Sequence, residues 1–209
     1  MKLTFSLATP AEAPALAALY TAASADLTER YGAGFWSHVA TEKGVLNSLR
    51  YARVILARKG KTIVGTMRLA NKKPWAIDVT YFTPVKKAIY LTGMAVLPKL
   101  QRQGIGRMLL QKAVEEARAW AADAIRLDAF DADGGAGAFY ARCGFREVAH
   151  VVYKKDPLIY FEFVLSQDNR IGNAFDLPRK AIPGGTAVAH SSTVDLSVFC
   201  TVNLWKWRD

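Results

Sequence analysis

The chain is poor in the residues that build metal centres and disulfide frameworks: its 209 residues hold 2 cysteines and 3 histidines. Cys143 and Cys200 lie far apart and show neither C-x-x-C nor Cys/His ligand spacing, so no metal is expected and a reduced interior suits them better than a secreted scaffold. No run approaches the roughly 20 consecutive apolar residues of a membrane span. Residues 1–6 lead into a helix signal instead of a long apolar leader, and a cytoplasmic protein with no membrane partner is expected. Charged residues make up 22% and hydrophobic ones 51%, which excludes disorder and predicts a packed core.

Acidic residues are the scarcer charge. Lys and Arg total 28 against 18 Asp and Glu, for a net charge of +10, which suits anions such as phosphate esters. The basic residues are scattered and have no aromatic-interleaved pattern, so nucleic acid is not the expected partner and a solvated basic surface accounts for them equally well.

Thr9-Pro10-Ala11-Glu12 reads as a capping box with proline at the first helical position, opening a helix over 13–23 after a strand at 3–7. A second helical stretch runs over 35–49 through Phe35, Val39, Val45 and Leu49, with Gly34 and Gly44 blurring its limits. Runs 51–58 and 62–69 flank Lys59-Gly60-Lys61 as an antiparallel hairpin. Residues 71–87, with Pro74 and Pro84, read as a long structured hairpin arm or insertion that overhangs a substrate site.

Strand 88–96 then leads through a glycine loop into a helix with Ile105, Leu109, Ala113, Ala117 and Trp120 on one face. A strand at 125–130, a short helix at 137–142 and strands at 145–153 and 158–165 follow. This order predicts a mixed α/β sheet. Beyond residue 165 the composition becomes linker-like, with Pro178, Pro183 and Gly184-Gly185, and an alternating pattern at 194–207 suggests one added strand. The expected division is a domain over 1–165 and an extension over 166–209.

The loop Gln101-Arg102-Gln103-Gly104-Ile105-Gly106-Arg107 places two glycines and two arginines at a helix N-terminus. Unpaired backbone N–H groups and the positive end of the helix dipole suit a phosphate or pyrophosphate there. Alone, the pattern fits a tight turn with close helix packing as well. It is not G-x-G-x-x-G, because Leu109 stands at the third glycine position, and no G-K-[ST] follows, so dinucleotide and nucleoside-triphosphate sites lose support.

With these residues in view, the sequence resembles the GNAT superfamily of N-acetyltransferases. Gln101, Gly104 and Gly106 meet its Q/R-x-x-G-x-G/A signature, and Asp133 to Phe145 resembles its N-x-x-A-x-x-x-Y-x-x-x-G-F pattern through Ala136, Tyr140, Gly144 and Phe145. The resemblance is sharp over 90–145 and a matter of element order before that. It implies an α+β fold, a mixed and mostly antiparallel central sheet flanked by helices, with strands splayed to admit acetyl-CoA.

The resemblance further implies that Met94, Ala95 and Val96 offer backbone groups to the acetyl carbonyl and pantetheine, while Arg102, Gln103, Gly104, Ile105, Gly106 and Arg107 hold the pyrophosphate. The side chains of Met94 and Val96 read equally as strand core. Tyr140 is the implied acid for the departing CoA thiolate, with a half-buried helix aromatic as the plain alternative. Removing a proton from a lysine-like ammonium costs about 4.6 kcal/mol at neutral pH, and Asp128 stands where some family members carry a base; a solvated strand-end carboxylate is its plain alternative. Asp131 and Asp78 are weaker candidates. The resemblance also places Asp133 among the cofactor-binding residues, with an acceptor-only carboxylate where the family often has an asparagine amide. Cys143 reads as packing.

Together these features predict an acetyl-CoA-dependent N-acetyltransferase acting by direct attack on a small-molecule or peptide amine. The alternative is a non-catalytic acyl-CoA-binding or nucleic-acid-associated sensor module. Asp26, Glu29, Asp78 and Glu162 are acids that attract a cationic acceptor or, more simply, surface charges. A homodimer is left open.

Overall fold

Thr9 and Glu12 cap the first helix as their spacing predicts: the Thr9 N–H donates to Glu12 Oε2 at 2.6 Å, satisfying a donor that the helix itself leaves orphaned. The computed structural model describes residues 2–34 and 36–165; the expected strand at 194–207, Cys200 and the rest of the extension lie outside the described residues. Helix α1 (Ala13–Tyr31) runs past the expected end at residue 23, because Leu16, Tyr20, Ala23 and Leu27 continue one buried stripe. It stops at Gly32, whose φ of +78° L side chains rarely adopt.

Helix α2 (Glu42–Tyr51) begins later than the expected 35–49 span. Its start is set by Thr41, whose Oγ1 accepts the Gly44 N–H at 3.1 Å, so Gly44 is an interior first-turn residue and not a boundary. The preceding connection is tied to α1 by Ser24, whose hydroxyl donates to the Trp36 carbonyl and accepts the His38 N–H.

Seven strands make one sheet: β1 (Thr4–Leu7), β2 (Arg53–Lys59), β3 (Thr62–Ala70), β4 (Ala88–Val96), β5 (Ala124–Phe130), β6 (Arg146–Tyr153) and β7 (Asp156–Val164), ordered β1-β2-β3-β4-β5-β7-β6. All neighbours are antiparallel except β4 and β5. Alternation sorts side chains to the two faces. Val54 and Leu56 join α1 and α2 on one face, whereas Ile55, Ala57, Ile125, Leu127 and Ala129 meet helix α3 (Ile105–Ala119) and the short helix α4 (Gly137–Arg142) on the other. Each fully buried Leu, Ile or Phe in these layers contributes roughly 1.5–3 kcal/mol. Among the described residues no helix is long and apolar enough to cross a membrane.

Residues 71–87 form an insertion but not a hairpin. The segment carries one 3-10 turn, Val79–Tyr81, capped by Asp78, whose Oδ1 accepts the Thr80 N–H at 3.0 Å. Pro74 and Pro84 remove ladder donors, and the segment gains its stability instead from Ile77 and Phe82, buried against Tyr90, Leu158 and Tyr160. Tyr160 stacks on Phe82 with ring centroids 5.4 Å apart, and its hydroxyl donates to the Ala76 carbonyl.

Beneath this segment Glu162 sits fully buried between Arg126 Nε at 3.1 Å and Arg146 Nη2 at 3.0 Å, and accepts the Thr83 N–H at 3.3 Å. Burial pushes its carboxyl up, but the hydrogen bonds from Thr83, Arg126 and Arg146 outweigh it and hold the pKa below the ordinary 4.5.

Candidate active site

The centre of the sheet opens where β4 and β5 part. Their parallel pairing is confined to Ala88↔Ala124, Ile89↔Ile125 and Tyr90↔Arg126, although β4 continues to Val96 and β5 to Phe130. Beyond Tyr90, β4 pairs with β3 alone and β5 with β7. A strand paired on one side turns alternate N–H and C=O groups to the open edge, where another extended chain with amides can pair.

A bulge shapes that edge. The β3–β4 register passes from Thr66↔Ala95 to Arg68↔Thr92, so Gly93 and Met94 together oppose Met67. Gly93 has φ +53°, which favours glycine, and a Cβ there would lie 2.3 Å from Arg68 Nε, so any side chain would displace the guanidinium above it. The Gly93 carbonyl accepts the buried Tyr20 hydroxyl at 2.8 Å, which ties the bulge to α1. The side chains of Met94, Ala95 and Val96 are buried core, so whatever these residues offer a ligand comes from their backbone.

At the C-terminal end of β4, the 3-10 turn Pro98–Leu100 leads to Arg102 and Gly104, both left-handed at φ +60° and +82°. Helix α3 follows, and Met108 is the first residue whose N–H bonds back, to Gly104 O at 3.0 Å. The N–H groups of Ile105, Gly106 and Arg107 precede the helical ladder and point outward. These three residues line a cavity of about 210 Å³ together with Val96, Gln101, Arg102, Gly104, Phe139 and Arg142 among others. Three arginines and a helix N-terminus give this cavity a character that suits an anion. Arg142 and Phe139 were not among the sequence candidates; their signal was helical spacing on either side of Tyr140.

Tyr140 is fully buried on α4, with its ring against Phe139, Phe145 and Phe161 and its hydroxyl 3.8 Å from the Met94 sulfur. The hydroxyl therefore lies beside the bulged part of β4 that borders the gap. Asp128 is 1% exposed, which overturns the solvated strand-end reading. It pairs in register with Tyr160. Tyr160's pKa is raised, first by burial and in smaller part by the charge of Asp128. Two residues beyond the last β4–β5 pair, Thr92 and Asp128 project from the same face across the gap.

The glycine-rich turn before α4 is closely packed. A Cβ on Gly135 would lie 1.9 Å from the Phe130 carbonyl oxygen, and one on Gly134 would lie 3.2 Å from Trp36 and Tyr31. Trp36 meets Phe130 edge-on at 5.4 Å, so the α1–α2 connection is joined to the end of β5. Asp133 is exposed on this turn and lines neither the cationic cavity nor the one described below.

Other candidates have structural occupations. Asp131 pairs with His150 at 2.7 Å, Asp26 with Arg30 at 2.7 Å, and Asp78 caps its turn. Glu29 is exposed, and Glu162 is the buried partner of two arginines and not a surface charge. Burial pushes the Cys143 thiol up to about 11, which keeps it protonated and matches its reading as packing.

A second cavity opens on the α2 side of the sheet, lined by Ser48, Tyr51, Arg68, Lys72, Lys73, Trp75 and Thr92 among others. Residues 72–75 of the insertion form part of its wall, so the insertion borders this cavity. Arg68 Nη1 donates to Ser48 Oγ at 2.9 Å. None of these residues is singled out by the sequence, because the β3–β4 register at the bulge and the insertion bring them together only in the fold.

Comparison with known proteins agrees with this architecture. The model of the acetyltransferase (GNAT) family matches residues 16–145. A putative acetyltransferase, yncA of Salmonella typhimurium, solved with acetyl-CoA, is 17% identical at a TM-score of 0.58, covering 82% of this chain and 98% of its own. The ribosomal-protein-S18-alanine N-acetyltransferase of Escherichia coli is 17% identical at a TM-score of 0.58, over 81% and 99%. The paia N-acetyltransferase of Thermoplasma acidophilum, in complex with coenzyme A, is 13% identical at a TM-score of 0.59, over 78% and 100%. At these identities the likeness is one of fold. A comparison with curated protein sequences gave no significant match.

Proposed function

This chain belongs to the GNAT family of acetyltransferases, and on that premise we propose that it transfers acetyl from acetyl-CoA to an amine by direct attack, with no acyl-enzyme. The observation that carries the proposal is the gap between β4 and β5, with the arginine-lined helix N-terminus at one end and the Tyr140 hydroxyl beside it.

Acetyl-CoA is the acyl donor. Arg102, Gln103, Arg107 and the N–H groups of residues 104–107 hold its pyrophosphate, and Arg142 adds charge from α4. The pantetheine amides pair with the open edge of Met94, Ala95 and Val96, as a further strand would. An N–H at the bulge donates to the thioester carbonyl oxygen and stabilises the negative charge that develops there, a contribution of about 2.7–4 kcal/mol for one such donor.

The acceptor approaches from the Thr92 side. Asp128 takes a proton from its ammonium, the nitrogen lone pair attacks the carbonyl carbon, and a C–N bond forms as the carbonyl becomes an oxyanion. Collapse breaks the C–S bond. Tyr140 donates its proton to the leaving thiolate and recovers one from the acylated nitrogen, so the products are an amide, CoA and one proton passed through Asp128 to solvent. The Asp128 role rests on its burial and position across the gap from Thr92.

Carbonyl-labelled acetyl-CoA, supplied with amino acids, polyamines, aminoglycosides and peptides bearing free N-termini, tests the reading. Label is expected in an amide product and never on the protein. Tight acetyl-CoA binding without transfer to any amine supports the sensor alternative and overturns the proposal.

A further inference from the structure

Resting on the reading above, we propose that the acceptor is an α-amino acid or closely similar amine, bound by its carboxylate to Arg68 in the cavity between α2, β4 and the insertion. The cavity wall carries three cations, Arg68, Lys72 and Lys73, and among the described lining residues there is no Asp or Glu. A site for a polyamine or an aminoglycoside needs the opposite sign.

Arg68 is itself 6% exposed and is held in place from two directions. Ser48 accepts one of its N–H groups at 2.9 Å, and the absent side chain of Gly93 lets the guanidinium lie directly over the bulge. A planar guanidinium fixed in this way matches a carboxylate fork better than a mobile lysine does.

Its position also puts the acceptor's carboxylate beside the bulge in β4. The guanidinium touches Gly93, and Gly93 adjoins Met94, the residue beside the Tyr140 hydroxyl. A carboxylate on Arg68 therefore lies next to the bulge that borders the gap, which favours an acceptor whose amine and carboxylate are close together. Asp128, facing the same side across the gap, suits the ammonium end of the zwitterion.

The cavity holds about 90 Å³, enough for an amino-acid head group but not for a folded peptide. At its rim Trp75 and Tyr51 are 66% and 49% exposed, a pair of aromatic faces that an apolar or aromatic side chain can cover.

The test is a matched acceptor series on the full chain: phenylalanine, its carboxamide and phenethylamine, with the leucine equivalents, each read by amide formation and by calorimetric binding to the CoA-loaded protein. The free acids are expected to exceed the decarboxylated amines at least a hundredfold in kcat/KM. Arg68→Gln should raise the KM for the acid tenfold or more while leaving that for acetyl-CoA within about threefold. The exposed-rim variant Trp75→Ala, which keeps the guanidinium, should weaken the aromatic acid more than glycine. Equal or better turnover of the amines overturns the inference and leaves the acetyltransferase reading intact. Calorimetric binding of the acids without any amide formation does the reverse.

Discussion

The Tyr140 hydroxyl reaches within 3.8 Å of the Met94 sulfur, joining a six-residue helix near the end of the domain to the bulged strand at its centre. That contact crosses from the second signature motif to the strand that borders the β4–β5 gap. It depends on the bulge, since Met94 is the residue that the extra position at Gly93 turns toward the α3 and α4 face.

Gly93→Ala is accordingly expected to disturb both stability and catalysis. The new methyl forces the left-handed backbone, at about 1–3 kcal/mol, and collides with the Arg68 guanidinium. A thermal melt several degrees lower, with turnover reduced more than the melt explains, is the expected pair of readings. An unchanged melt contradicts the geometry given for the bulge.

Glu162→Ala leaves Arg126 buried without its carboxylate and should cost about 3–5 kcal/mol, read by urea denaturation. The same group gives a pH signature. Its folded pKa is lowered, so its contribution is fully present above the unfolded value of about 4.5 and is lost as pH falls through the folded one. Wild-type stability should decline below about pH 4.5 by more than that of Glu162→Gln, and parallel declines contradict the assignment.

The pyrophosphate assignment separates CoA from pantetheine. Arg102→Ala and Arg107→Ala should each weaken CoA by roughly tenfold to a hundredfold, the range for a charged hydrogen bond, while pantetheine binding stays within about twofold. Equal losses for both ligands, measured by calorimetry, would place the cationic loop elsewhere than on the phosphates.

How much of this could be read from residue order follows from the range of each interaction. Strand β4, the α3 loop and helix α4 stood out because apolar periodicity, glycine and the Tyr140 motif are each local signals in the chain. The placement of β7 between β5 and β6 was not legible, nor was the register shift that sets Gly93 against Arg68, because pairing between distant strands leaves no local trace. Residues 35–41 carried a helical pattern that Thr41 capping overrode. The acids proposed for the acceptor side were chosen by charge alone, and the fold uses most of them in caps and ion pairs while placing Arg68 at the cavity.

Asp128→Asn keeps shape and removes the base. Loss of a positioned base should lower kcat/KM for the amine about 10²–10⁴-fold, with partial recovery at high pH as the free amine supplies itself. A variant with wild-type rates at neutral pH shows that the proton leaves by another route.

Release of CoA turns on Tyr140. Steady-state kinetics of Tyr140→Phe, with acetyl-CoA affinity measured in parallel by calorimetry, is its most direct test. The expected result is a fall in kcat of about 10²–10⁴-fold with acetyl-CoA affinity within about threefold of wild type. Wild-type kcat in the variant, or a loss confined to acetyl-CoA affinity, contradicts the role of the hydroxyl as the acid that releases CoA.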